Sequence, residues 1–316
     1  VFIGSSHIFA QSGQQKVLIE VFTGTWVGYA PDAFVVLEDA LAQDTNIHAV
    51  NIHISDAMEC FNSSDIESFY APAYPQALIN REGSPISRST WITFSVAKLA
   101  ETPLLDVYFD SVFFNSSTRQ LDVYLRAHFI SSATGDLRFN CIVVEDSVIG
   151  TGTGYDQVNY DNTTPGHYYY GAGNPIIGLP HRYVAREYLG GAWGVSGIIP
   201  SSVSAGSDYT HHFTYTIPAA YNYEKISLIG FVSKYAASGI TEREILNLEN
   251  YPELTPMSTV AIEDENTLPF YQIYPNPSAG NVVIDCKKNV EISIINLVLE
   301  EVYSDRLTTG RNELNL

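Results

Sequence analysis

Val17–Asp32, VLIEVFTGTWVGYAPD, is the stretch that decides how the first part of the chain is read. Its apolar run of Val17, Leu18, Ile19, Val21 and Phe22 has the composition and length of a buried strand. Thr23-Gly24-Thr25-Trp26 is turn chemistry, and Pro31 stands at the head of an amphipathic run, Asp32–Ala42, that reads as a helix. The order is therefore strand, loop, helix, with the loop delivered to a helix N-terminus.

Working outward, Asn46–Ile54 (NIHAVNIHI) is continuous enough for a central strand buried on both faces. His48 and His53 are five apart in it and so on opposite faces, which argues against a shared metal. Ser63–Tyr70 reads as a helix and Gln76–Asn80 as a strand. Ser87–Ala100 then reads as a closing helix, stopped by Glu101-Thr102-Pro103.

This order resembles the redox domain of thioredoxin-fold proteins, where Trp-Cys-x-x-Cys-Pro sits between the first core strand and its helix. Here the residues are Trp26, Val27, Ala30 and Pro31, with both cysteine positions replaced. The resemblance implies a cis bond at Tyr74-Pro75, with Pro75 facing the loop. Dithiol exchange needs one thiolate to attack and a second thiol to resolve, and Val27 and Ala30 supply neither. Cys60, Cys141 and Cys286 have no paired spacing. Residues 16–102 are thus expected to form a degenerate thioredoxin-like α/β domain without enzymatic activity; a residual thiol oxidoreductase using an isolated cysteine is the alternative.

Composition bounds the function. The 316 residues carry 35 acidic against 16 basic side chains, a net charge of −19, so the clustered Lys and Arg that bind nucleic acid are missing. No apolar stretch is long enough for a transmembrane helix. With 21 Tyr, 15 Phe and 2 Met, and turn formers dense after about residue 103, the larger part leans to β structure. Val1–Ala10, VFIGSSHIFA, within an N-terminal segment 1–15, is either the tail of a secretory signal or a retained apolar strand able to add to a neighbour's sheet.

From Leu104 the periodicity is two. Asp106–Phe114, Gln120–Phe129, Leu137–Glu145, Phe213–Ile217 and Ile226–Ser233 read as strands of an antiparallel β-sandwich over 103–253. A Gly/Tyr/Asn-rich excursion, Gly150–Gly178, is too long for a turn and reads as a surface loop. The order of these parts, with Cys141–Val148, His181-Arg-Tyr-Val-Ala-Arg186 and Gly230-Phe231-Val232, resembles the outer-membrane-protein-28 family of Gram-negative surface proteins over roughly residues 16 to 250. That family's His-Asn-His-Val-x-Arg pattern is kept in part, as His181, Val184 and Arg186, and the resemblance implies that these orient the long loop. Residues 254–268 read as a linker. Tyr274-Pro275-Asn276-Pro277 and the strands after it closely resemble the small β-sandwich sorting domain of type IX secretion (269–316), whose usual last two strands are not in the sequence. The resemblances imply an extracellular or outer-membrane protein that engages the type IX machinery.

No catalytic motif is found. Asp122, Asp136, Glu145 and Asp146 are candidates to gather Ca²⁺ at sandwich loops; no other cofactor is expected. His167 with Tyr168, Tyr169 and Tyr170 is the candidate recognition surface, joined at lower weight by His181 and Arg186. At least one of the three cysteines is unpaired or intermolecular, and a Cys60–Cys141 bridge across the domain boundary has no support from spacing. The function read from all this is a structural or adhesive surface protein that self-associates by strand donation into a filament or layer, with a monomeric surface binding module as the alternative.

Overall fold

A computed structural model describes residues 13–254, 256, 271–274, 281–286, 289–295 and 301–315. Two compact units, Val1–Met257 and Ser258–Leu316, divide the chain. The larger begins β1 (Val17–Thr23), α1 (Ala30–Leu41), β2 (Ile47–His53), α2 (Ser63–Tyr70), β3 (Gln76–Ile79), β4 (Ile86–Ser87) and α3 (Trp91–Leu99). It continues with β5 (Leu105–Asn115), β6 (Gln120–Phe129), β7 (Ala133–Thr134), β8 (Asp136–Glu145), β9 (Val184–Tyr188), β10 (Ser202–Val203), β11 (Asp208–Thr216), β12 (Ile226–Tyr235) and β13 (Ile245–Tyr251).

One eight-stranded mixed sheet, ordered β13-β12-β8-β9-β2-β1-β3-β4, runs through this whole unit. β1 and β2 are parallel, and β2 meets β9 in parallel at Asn51 and Val184, while the remaining pairings are antiparallel. The boundary expected at residues 102 and 103 therefore does not separate two bodies. β9, only five residues long, carries the sheet across it.

Alternation of side chains assigns the layers. Val17, Ile19, Val21, Ile47 and Ala49 face α1 and α3, burying Ala33, Leu37 and Trp91. Leu18, Phe22, Val50 and Ile52 face the other way with Ile66 and Tyr70 of α2, in a cluster that extends to Ile142, Val144 and Phe231. On the α1 side of β8 and β12 the cover is a second sheet, β11-β6-β5, whose Leu121, Val123, Leu125 and Phe129 pack on Phe139, Cys141 and Val143. The sandwich is real, but one of its two sheets is shared with the α/β part. Gly230 marks the closest approach of the layers: a Cβ there would stand 2.5 Å from Leu125 Cδ2.

Cys60 and Cys141 belong to different clusters and are free thiols, so no bridge joins them. Leu254, expected to open the linker, is buried in the sandwich core and its N–H donates to Ile226 O. In the smaller unit β14 (Tyr271–Tyr274), β15 (Asn281–Cys286) and β18 (Gly310–Asn315) form one sheet, and β16 (Val290–Ile295) pairs with β17 (Glu301–Leu307). Ile284, Cys286, Leu307 and Leu314 make its core. Val1–Ala10 and Pro275–Pro277 lie outside the described residues.

A buried ion pair joins β1 to the turn after its neighbour β3. Arg81 donates from Nε to Glu20 Oε2 and from a terminal nitrogen to Oε1, both at 2.7 Å, and to Ala192 O at 3.0 Å. Neither side chain is more than 1% exposed. Removing one partner of such a pair strands the other charge, which costs about 3–5 kcal/mol, whereas replacing both with apolar groups is often neutral. Arg81→Met is accordingly expected to lower the unfolding free energy by about that amount in urea titrations, and Glu20→Leu/Arg81→Met to recover most of it; a loss under about 1 kcal/mol for the single variant contradicts this.

Candidate functional site

The loop between β1 and α1 is closed by two tight turns, Val27 N–H to Gly24 O and Ala30 N–H to Val27 O, each 3.0 Å. Val27, Ala30 and Pro31 are buried, so the two positions that resemble redox cysteines lie beneath the surface. Trp26 is half exposed, donates from Nε1 to Ile54 O at 2.8 Å and meets the Tyr74 ring edge-on at 4.9 Å. The Tyr74-Pro75 bond is cis, with Pro75 buried, and the Asn174-Pro175 bond, which no sequence signal marked, is cis as well.

The 150–178 excursion is not a free surface loop. Its first part folds over the Trp26 loop and supplies the partners that the loop's backbone needs. Gln157 Nε2 donates to Thr25 O and Val27 O at 3.1 and 2.9 Å, Val158 N–H to Thr25 O at 2.8 Å, and Tyr160 N–H to Gly28 O at 2.9 Å. Gly28 is required here, because a Cβ would fall 2.4 Å from the Tyr160 ring. One buried glutamine in a Gly/Tyr/Asn-rich run carries no pattern, so sequence reading missed this cap.

The later part of the excursion borders a cleft of about 460 Å³, walled by Phe34 and Val35 of α1 and by Tyr168, Tyr169 and Tyr183. Arg182 and Glu38 form an ion pair at 2.7 Å on its rim. The Asn51 side-chain carbonyl, buried, also lines it and has no partner. His167 sits beside the cleft with Nε2 3.2 Å from Asp32 Oδ1. Partial burial opposes ionisation of Asp32, yet Arg88 and then His167 hold its carboxyl below the usual range. Tyr168 and Tyr170 are exposed, Tyr169 half-buried. The structure thus brings together His167, Tyr168 and Tyr169, but not the two residues added to them from the family pattern. Arg186 is buried against Glu145 at 2.7 Å with its guanidinium over Tyr221. His181 does anchor the long excursion, donating from Nε2 to Tyr155 O at 2.8 Å.

The carboxylates proposed for Ca²⁺ do not converge. Asp122 pairs with His212, Asp136 with Arg138, Glu145 with Arg186 and Asp146 with Arg182. Among the described residues a true triad of carboxylates, Glu82, Glu101 and Glu244, surrounds the Lys98 ammonium at 2.8 to 2.9 Å, which fills it. Cys60 and Cys141 are buried, and burial pushes both thiols up, so neither is a ready thiolate.

The smaller unit defines the chain as a secreted or cell-surface protein: residues 272–316 match the secretion system C-terminal sorting domain, and the export route it serves ends outside the cell. Among solved structures, HBP35 of Porphyromonas gingivalis aligns over 97% of this chain and 100% of its own, with a TM-score of 0.61 and 13% identity, a likeness of fold alone. A domain of the outer membrane lipoprotein Omp28 from the same organism covers 49% of this chain and 92% of its own at 13% identity, with a TM-score of 0.28 that carries no structural argument. The sorting domain expected from the sequence thus has its counterpart in the matching family model. No curated protein matches the chain in sequence. None of its described helices is long and apolar enough to cross a membrane.

His181 makes the cap sensitive to acid. Burial first, and then the neighbouring His53, lowers its pKa from 6.5 to about 4, so the unfolded chain takes up a proton that the folded chain refuses. The stabilisation is full above pH 6.5 and is lost as pH falls through the window down to about 4. His48, lowered to about 4 by burial and Lys16, acts in the same sense. Melting temperature is expected to fall from about pH 7 to about 4.5, with a shallower slope in His181→Gln, whose amide still reaches Tyr155 O; equal slopes contradict the assignment.

Proposed function

We propose that the protein is a non-catalytic surface adhesin in which a degenerate thioredoxin-like scaffold, residues 16–102, presents a binding cleft instead of a redox centre. The observation that carries this is the double closure of the loop: no thiol at positions 27 and 30, and Gln157, Val158 and Tyr160 bonded over its backbone. The order β1, loop, α1, β2, then β3 after Tyr74-Pro75, supports the scaffold reading. The cleft beside α1 supports the binding reading, since aromatic walls with a few fixed polar groups suit a partly apolar ring that also carries hydrogen-bond donors. The class of ligand that fits is a surface sugar: pyranose faces stack on Tyr168 and Tyr169 while Asn51 and Glu38 accept from hydroxyls.

Self-assembly by strand donation is a second reading, favoured by β11, an edge strand of nine residues whose ladder partner is β6 alone. Its donor, Val1–Ala10, lies outside the described residues. If donation operates, deleting residues 1–10 converts assemblies to monomers in size-exclusion chromatography, and unchanged assembly rejects it.

For the principal reading, saccharide binding followed by NMR is expected to weaken at least tenfold in Tyr168→Ala/Tyr169→Ala, a loss of about 1.4 kcal/mol or more. The unmodified chain is expected to leave insulin disulfides intact. Insulin reduction that disappears in Cys60→Ser would restore the oxidoreductase alternative and sink the non-catalytic one.

A further inference from the structure

Directly beneath the capped loop, on the α1 side of the sheet, lie two histidines with a particular pair of partners. His53, at the carboxyl end of β2, places Nδ1 2.7 Å from Asp56 Oδ2, and neither side chain is more than 1% exposed. His181 gives its Nε2 proton to Tyr155 O at 2.8 Å and is 2% exposed. Each ring therefore has one nitrogen fixed by an acceptor, a carboxylate in one case and a backbone carbonyl in the other. The opposite nitrogens, His53 Nε2 and His181 Nδ1, are both buried and have no hydrogen-bond partner. The rings are 5.4 Å apart between centroids and nearly perpendicular at 85°.

Two unpartnered buried imidazole nitrogens are costly to leave so. Their opposite nitrogens are held in the manner of metal-binding histidines, whose second N–H is given to a carboxylate or a carbonyl, fixing the tautomer and raising the basicity of the ligating nitrogen. Dimensions agree with a shared ion. At a metal–nitrogen distance of about 2.0–2.1 Å the ion lies about 3 Å from each ring centre, so a bent arrangement puts the two centroids between about 5 and 6 Å apart. Thr23, register partner of His53 on the adjoining parallel strand, also has a buried hydroxyl without a partner.

Charge points the same way. The Asp56 carboxylate lies inside the protein, facing His53 Nδ1 and accepting from the N–H groups of Thr25 and Met58. A cation on the far nitrogen of His53 offsets it through the ring.

We propose that His53 and His181 form a buried two-histidine site for a late first-row transition-metal ion of the zinc and copper class, with Asp56 and the Tyr155 carbonyl as its supporting shell and Thr23 or water completing it. Neutral imidazole donors select this class over Ca²⁺ or Mg²⁺, which need several oxygen ligands. The ion would join β2 to the 150–178 cap and hold the cap down. This role is independent of whether the neighbouring cleft binds sugar.

The test uses the full chain with Zn²⁺ and with Cu²⁺ as probes. Each ion is loaded both by incubation of the native protein and by refolding from urea in its presence, then free ion is removed by desalting. Elemental analysis is expected to find about one ion per chain, with nitrogen ligands at about 2.0–2.1 Å by X-ray absorption. Retention is expected to be lost in His53→Ala and His181→Ala and to persist in His48→Ala, on the opposite face of β2. If the alanine variants do not fold, Asp56→Asn serves instead, with affinity expected to fall about 10–100-fold. Absence of retained ion from the wild-type chain by both loading routes overturns the proposal. Retention that survives in folded His53→Ala overturns it equally.

Discussion

Glu20 and Arg81 meet where four parts of the chain converge, and the architecture of the larger unit depends on that meeting. Glu20 comes from the middle of β1, Arg81 from the turn after β3, Tyr188 from the end of β9 and Ala192 from the segment behind it. Asn80 and Arg81 both take positive φ, 47° and 53°, a conformation that Asn tolerates and that Arg rarely adopts. Tertiary bonds hold it. Asn80 accepts from Leu18 N–H at 2.7 Å and donates to Ile245 O, while Arg81 satisfies both carboxylate oxygens. The guanidinium is also flanked by the rings of Tyr188, Trp193 and Phe231. A charge buried so deeply is tolerated only with its partners complete, so Arg81 depends at once on β1, on the end of β9 and on the segment behind it.

The same dependence of one half on the other governs the loop. Left to itself, Thr23–Ala30 would expose carbonyls that the strand and helix ends do not use, and water would take them. Here Gln157 and its neighbours take them, a contribution from more than a hundred residues downstream. The cap therefore stabilises the loop by satisfying its backbone, while the side chains of Trp26 and Tyr29 stay exposed. Positions 27 and 30 carry Val and Ala, both buried, and the loop that holds them is bonded along its backbone by the cap.

Much of this was legible where the information is local. The strand, turn and helix of Val17–Leu41 and the alternating strands over 106–145 stand close to where periodicity placed them, because burial on one or two faces dictates the pattern. β9 was not legible. Val184-Ala-Arg-Glu-Tyr188 is short, carries two charges whose partners are distant, and comes after a Gly-rich run, so nothing in it announces the strand that fuses the two halves. β13, Ile245–Tyr251, failed for a related reason: its Asn247 looks like a turn residue, yet it is buried and bonds to Lys16 N–H and Leu105 O. At the candidate site the tyrosines were visible as a composition anomaly. His53 and His181 were each visible too, but only the fold makes them neighbours, and a parity argument confined to β2 could compare His53 with His48 alone.

In parallel sheets, ligands usually meet the carboxyl ends of the strands, where backbone groups and helix N-termini point outward together. In this chain those ends, Thr23 and His53, lie under the 150–178 cap, and α1 begins at Ala30 beneath the same cover. The open concavity nearest to them lies along α1, where Phe34, Tyr168, Tyr169 and Tyr183 wall the cleft. The cap thus lies between the aromatic cleft and the buried, unpartnered polar atoms of His53 and His181, and it is the piece that neither half of the sheet supplies alone.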